Sequence, residues 1–167
     1  MLFRSAKDIH KSVEFSEKAL EIAQKINNYE YLYRAEFSLG FAHYNKNNFE
    51  KSLLHFNNSL KYSRLNENKE GEAVTLNRLG NTYQLMGKFD MALEFYKEAM
   101  QINWTLNDKL EIARTLTNLG SIYRLYGNYE LAINQHLEAL NTYEELQNNE
   151  GIAWSALNIA RLFKMMK

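Results

Sequence analysis

The sequence predicts an all-α protein, a solenoid of antiparallel helix pairs, and three observations predict it. A period of 40 residues runs through the chain without insertion: LGNTYQLMGKFDMA at 79–92 returns as LGSIYRLYGNYELA at 119–132. Self-similarity at that spacing marks stacked repeat units. Inside each period, apolar and small residues alternate at helical spacing. Proline is absent from all 167 residues, as suits a chain that is helical almost throughout.

Two sets of helices follow from recurring caps. Asn28, Asn68, Asp108 and Asn148 stand where a side-chain oxygen can accept from the free amides of a helix start. Glu30, Glu70 and Glu150 follow in the first turn, favourable against the positive helix end, and Asp108 with Glu111 has capping-box spacing. First-type helices are therefore predicted at 29–46, 69–86, 109–126 and 149–166. A second column of caps, Asp8, Asn48 and Asn128, interrupted by Lys88, precedes second-type helices at 9–26, 49–66, 89–106 and 129–146. Joints of about two residues make consecutive helices antiparallel neighbours.

Residues 1–167 thus read as a single array: a second-type helix of a partial repeat at 9–26, whole repeats at 29–66, 69–106 and 109–146, and a first-type helix of a partial repeat at 149–166. Phe3 falls on the aromatic column of a first-type helix, and Lys167 falls where a second-type helix should begin, so the chain reads as part of a longer array.

The repeated letters have a packing logic. Gly80 and Gly120 on first-type helices, with Ala92 and Ala132 on the next, let neighbouring backbones approach, while aromatics such as Tyr83, Tyr96, Tyr123 and Tyr129 fill the flanking space. A glycine inside a helix costs about 1 kcal/mol against alanine, so its periodic use implies a packing need. All seven glycines lie on repeat columns, which leaves none for a phosphate-binding loop.

Leu-Gly-x-x-Tyr, then Gly-x-aromatic-x-x-Ala, then an aromatic and a final Ala resembles the tetratricopeptide repeat over essentially the whole chain. The usual repeat has about 34 residues and often ends in proline. Here the period is 40 and the proline position holds Arg64, Trp104 and Glu144. Those departures resemble the longer-helix branch of kinesin light chains, Leu-Gly-Asn adaptors and bacterial peptide-responsive regulators. The resemblance implies a right-handed superhelix with partners on its concave surface.

Composition and motifs argue against chemistry in this segment. Twenty basic and twenty acidic residues cancel, so no global field points to nucleic acid or an anionic membrane. Without cysteine there are no disulfides, thiolate metal sites or thiol nucleophiles, and a reducing, cytoplasmic location is the default. No apolar run approaches the roughly 18 residues of a membrane span, and MLFRSAKDIH has no signal-peptide core. Of the histidines, His43 and His136 sit on core columns, whereas His10 and His55 lie on second-type helices without an acidic cluster at ligand spacing. Ser121 lacks a nucleophile elbow. The expectation is no enzyme, no metal and no cofactor.

What packing leaves over is the outward face of the first-type helices, which the resemblance makes the partner-binding groove. It offers Arg34, Phe37, Phe41 and Tyr44; then Asn77, Asn81 and Gln84; then Arg114, Thr117, Asn118, Ser121 and Arg124; and finally Trp154, Leu157, Asn158 and Arg161. Asn81, Asn118 and Asn158 resemble an amide ladder that grips an extended peptide backbone. The helix at 129–146 carries Glu130, Glu138, Glu144 and Glu145 without Lys or Arg, while Arg114, Arg124, Arg161 and Lys164 make the rear of the groove basic. An acidic protein or peptide partner is expected there, with no nucleic acid and no membrane. The alternatives are a sensor segment acting on an effector outside the chain, or self-association through the end helices, the last of which presents Leu162, Phe163, Met165 and Met166.

Overall fold

A computed structural model describes residues 6–167, with side chains from His10 onward. Among the described residues there are eight helices and no strand: α1 (Ala6–Lys25), α2 (Tyr29–Asn45), α3 (Phe49–Leu65), α4 (Lys69–Leu85), α5 (Phe89–Leu106), α6 (Lys109–Leu125), α7 (Tyr129–Glu145) and α8 (Asn149–Met165). The boundaries from α2 onward agree with the sequence expectation to within one residue. At the front they differ: α1 is helical from Ala6, so Asp8 lies inside it and is not a cap. Phe3 lies outside the described residues.

The joints explain the regularity. A residue with positive φ recurs every twenty positions, at Asn27, Asn47, Glu67, Gly87, Asn107, Gly127 and Gln147. The amide after each reaches back five residues, as in Asn48 N–H to the His43 carbonyl (2.9 Å), Asn68 to Ser63 (2.9 Å) and Asn128 to Tyr123 (2.9 Å). A left-handed residue followed by that bond is the Schellman ending, which satisfies carbonyls a helix would otherwise leave open. The residue donating the bond also stands at the start of the next helix. Asn28, Asn68, Asp108, Asn128 and Asn148 each accept from the amide three residues on, at 3.1, 2.7, 3.0, 3.3 and 2.9 Å. Asn48 makes no such side-chain bond, contrary to expectation. The capping box at Asp108 is half made, because the Glu111 carboxylate is turned to Arg114.

The helices divide into two compact units, residues 1–82 and 83–167. In the first unit, Leu32, Ala35, Leu39 and Ala42 of α2 are buried with Phe56 and Leu60 of α3 and Ala73, Leu76 and Leu79 of α4. Gly40 is required here: a Cβ on it would stand 2.6 Å from the Phe56 ring. In the second unit, Ala92, Tyr96 and Met100 of α5, Ala113, Leu116, Leu119 and Ile122 of α6, and Ala139 and Tyr143 of α7 form one cluster. A Cβ on Gly120 would meet His136 Nε2 at 2.8 Å. The glycines therefore make room for a ring on the facing helix, a more specific reason than close approach of two backbones. Tyr83 and Tyr123, expected in the core, are only half-buried and pack against its edge.

Candidate partner-binding surface

The predicted surface residues divide by what the fold has already done with them. On α2, Arg34 is exposed but its guanidinium is paired with Glu30, whose other oxygen accepts from Asn66 (2.8 Å) and Asn68 (3.2 Å). That pairing holds the Glu30 carboxyl below its usual range, with the Arg34 hydrogen bond the largest cause. Phe37 is half-buried, its ring 5.6 Å from Phe56 and 6.2 Å from Tyr33, so it belongs as much to the core as to the surface. Phe41 and Tyr44 stack on each other at 6.4 Å, and Tyr44 meets Phe49 edge-on at 6.5 Å. Asn77 is buried, because its column faces the neighbouring helices rather than solvent. Asn81 is half-buried.

The sequence reading missed Arg78, which lies one turn before Thr82 and forms a cation–π contact with Phe41, 5.4 Å from the ring centroid. It is half-buried and makes no ion pair with any described residue. Its column was legible, since 40 residues on stands Asn118 and 80 on stands Asn158. Arg78, and not Asn81, is the register partner of those two asparagines, and reading across columns hid it.

In the second unit, Gln84 is engaged, accepting from the Tyr96 hydroxyl at 2.8 Å. Arg114 is paired with Glu111. Thr117 is buried, and its hydroxyl donates to the Ala113 carbonyl at 2.9 Å. Ser121 donates to the Thr117 carbonyl at 3.1 Å, a back-bond into its own helix. Asn158 is buried and spends its amide on the Trp154 carbonyl at 3.0 Å, so it presents no ladder rung to solvent. Asn118 and Arg124 are half-buried, and Arg161 is exposed. A cavity of about 420 Å³ between α6, α7 and α8 is lined by Arg114, Tyr143, Trp154 and Leu157 among others, which brings three residues of the expected surface, Arg114, Trp154 and Leu157, onto one recess.

Two buried polar features also escaped the sequence reading. Glu36 takes the column where Leu76 and Leu116 stand, is buried, and accepts from His55 Nδ1 at 2.7 Å and Asn58 Nδ2 at 3.1 Å. Beside it His43 and His55 stack at 5.3 Å, where the second unit has the stacked pair Tyr83 and Phe95 at 5.3 Å. Burial lowers the His43 pKa, helped by His55, Lys51 and Lys46 and opposed by Glu17. His136 is fully buried with neither ring nitrogen partnered. Burial first, and the nearby Arg124 second, push its pKa down to about 4. Among the described residues no group of three His, Cys, Asp or Glu side chains could hold a metal ion, and no helix is long and apolar enough to cross a membrane.

Helix pairs with Schellman joints, glycine facing ring and small-large alternation match a known family. The family model of the tetratricopeptide repeat matches residues 31–103 and 106–167, most of the chain. The chain belongs to the tetratricopeptide repeat family. No curated protein matches this tetratricopeptide-repeat chain. Solved structures do. BtubC (BKLC) from P. vanneervenii is 22% identical with a TM-score of 0.85, over 94% of this chain and 66% of that one. A Rap protein complexed with Competence and Sporulation Factor is 18% identical with a TM-score of 0.82, over 96% and 48%. A signal-transduction ATPase with numerous domains and a tetratricopeptide-repeat sensor, from Pyrococcus horikoshii, is 20% identical with a TM-score of 0.86, over 96% and 25%. At these identities the likeness establishes the fold, an all-α helical-repeat solenoid, and the chain spans between a quarter and two thirds of each relative's length.

Proposed function

We propose that this chain binds an extended, carboxylate-bearing segment of a partner protein on the outward faces of its first-type helices, and performs no chemistry of its own. Arg78 carries the reading. Its guanidinium is held over Phe41, beside Tyr44, with no described carboxylate paired to it. A cation placed on an aromatic face, half-desolvated and without a counter-ion, is preorganised for an incoming carboxylate. Arg34 and Arg114 are not, because Glu30 and Glu111 already occupy them. In the second unit Arg124 and Arg161 remain for the same use. Such recognition weakens with salt, since it rests on exposed charge.

A regulatory reading, in which binding is relayed to an effector outside residues 1–167, draws support from the similar structures: one is a Rap protein in complex with a named factor and another contains a tetratricopeptide-repeat sensor. The absence of cysteine accords with a cytoplasmic setting.

The test is fluorescence anisotropy with a labelled Glu-rich peptide and its Gln-substituted counterpart. The Glu peptide should bind more tightly, and Arg78→Glu should weaken it by about tenfold or more, as the loss of a charge-assisted contact would. Equal binding of the two peptides, or binding that survives Arg78→Glu with Arg124→Glu, would refute the reading.

A further inference from the structure

α1 and α8 present faces that are halves of one helix pair. α8 is a first-type helix and α1 a second-type helix, and the contacts such helices make with each other are visible inside both units. One is a ring pair, His43 with His55 and Tyr83 with Phe95. The other sets a small residue under a ring, Gly40 with Phe56 and Gly120 with His136. In the same columns α8 carries Phe163 and Ala160, and α1 carries Phe15 and Ser16. Phe163 is 56% exposed and Phe15 65%, so among the described residues each is half of a ring pair with no ring opposite.

The second contact decides what can pair with α8. A Cβ added at Gly40 or Gly120 would stand 2.6 or 2.8 Å from the facing ring, so a first-type helix with alanine at that column takes a ring there only if the ring shifts, and fits a small residue better. α8 has alanine, and among the described second-type helices only α1 has a small residue opposite, Ser16 in place of Phe56, Tyr96 and His136. The size exchange is reciprocal. Along α1 an apolar slot of about 500 Å³, walled by Phe15, Ala19, Ile22 and Ile26 and floored by Ala35 of α2, lies where a first-type helix would sit. The register agrees: Leu162-Phe163-Lys164 stands four periods after Leu2-Phe3-Arg4, and Lys167 after Lys7.

We propose that two copies of this chain join head to tail, α8 of one seated in the α1–α2 slot of the other, with Phe163 stacked on Phe15 and Ala160 against Ser16. A contact of this kind uses two different faces, so each added copy leaves one of each open and growth continues. Arg34 lines this slot but Arg78 and Phe41 do not, so failure of the pairing would leave the reading that rests on Arg78 untouched.

Sedimentation equilibrium tests it. The wild-type mass should rise with concentration, whereas Phe15→Glu and Phe163→Glu, both at exposed positions, should each remain monomeric at every concentration. Mixed in equal amounts, the two variants should form a one-to-one complex through their intact faces and grow no further. Ser16→Phe should weaken association by about tenfold or more, because it restores a ring that the Ala160 methyl crowds, and adding Ala160→Gly to the same chain should reverse the loss. A monomeric wild type overturns the proposal. So does self-association of either single Glu variant, which would mean like faces pair with like, and so does a Ser16→Phe chain that associates as tightly as the wild type.

Discussion

Acidification should unlock the second unit through His136. The ring is fully buried, neither nitrogen has a partner, and its pKa is pushed down from 6.5 to about 4. The folded state therefore binds this proton less readily than the unfolded chain. The neutral ring's contribution is complete above pH 6.5, is lost as pH falls from there, and levels off near pH 4. A displacement of this size corresponds to about 3 kcal/mol over the whole range, and to about 2 kcal/mol between pH 7.5 and 5. His136→Phe tests it cleanly, since phenylalanine occupies the same column as Phe56 and has no nitrogen to leave unpartnered. Urea unfolding at pH 7.5 and 5 measures both proteins, and subtraction removes the contributions they share, including that of His43. The wild type should lose about 2 kcal/mol more than the variant. Equal losses would refute the argument that this imidazole is held neutral by its surroundings.

Other perturbations follow from the packing. Gly120→Ala should lower stability by about 1–3 kcal/mol despite alanine's better helix propensity, because the new methyl meets the His136 ring; thermal melting reads it. Tyr96→Ala should cost about 3–5 kcal/mol, since that side chain is fully buried, whereas Tyr123→Ala, half-buried at the core edge, should cost clearly less in the same urea titration. Glu67→Gly and Gln147→Gly should each raise stability by about 0.5–1 kcal/mol, because both residues hold a left-handed conformation that glycine adopts without penalty. A drop in melting temperature would show that their side chains contribute more than the backbone loses.

The helices were legible because their ends are written in local chemistry. An asparagine or aspartate that bonds an amide three residues on acts through its immediate neighbours, and Asn28, Asn68, Asp108 and Asn148 do so in the structure. The surface was less legible because its state depends on pairings between residues that sequence spacing does not rank. Arg34 and Arg114 looked available until Glu30 and Glu111 proved to hold them. Asn158 looked outward until its amide was found on its own helix. Glu36 on a leucine column is intelligible only once His55 and Asn58, on the facing helix, are seen to bond its two oxygens.

The joints carry a consequence for how such a chain can change. One residue, such as Asn68, closes the helix before it through its backbone amide and opens the helix after it through its side chain. There is no spare position between these duties. Inserting a single residue would separate them and turn the following helix by about 100° about its axis, carrying its buried face toward water. Small insertions are thus barred from the loops, where proteins ordinarily tolerate them, and an array of this kind can lengthen or shorten only by whole 40-residue units.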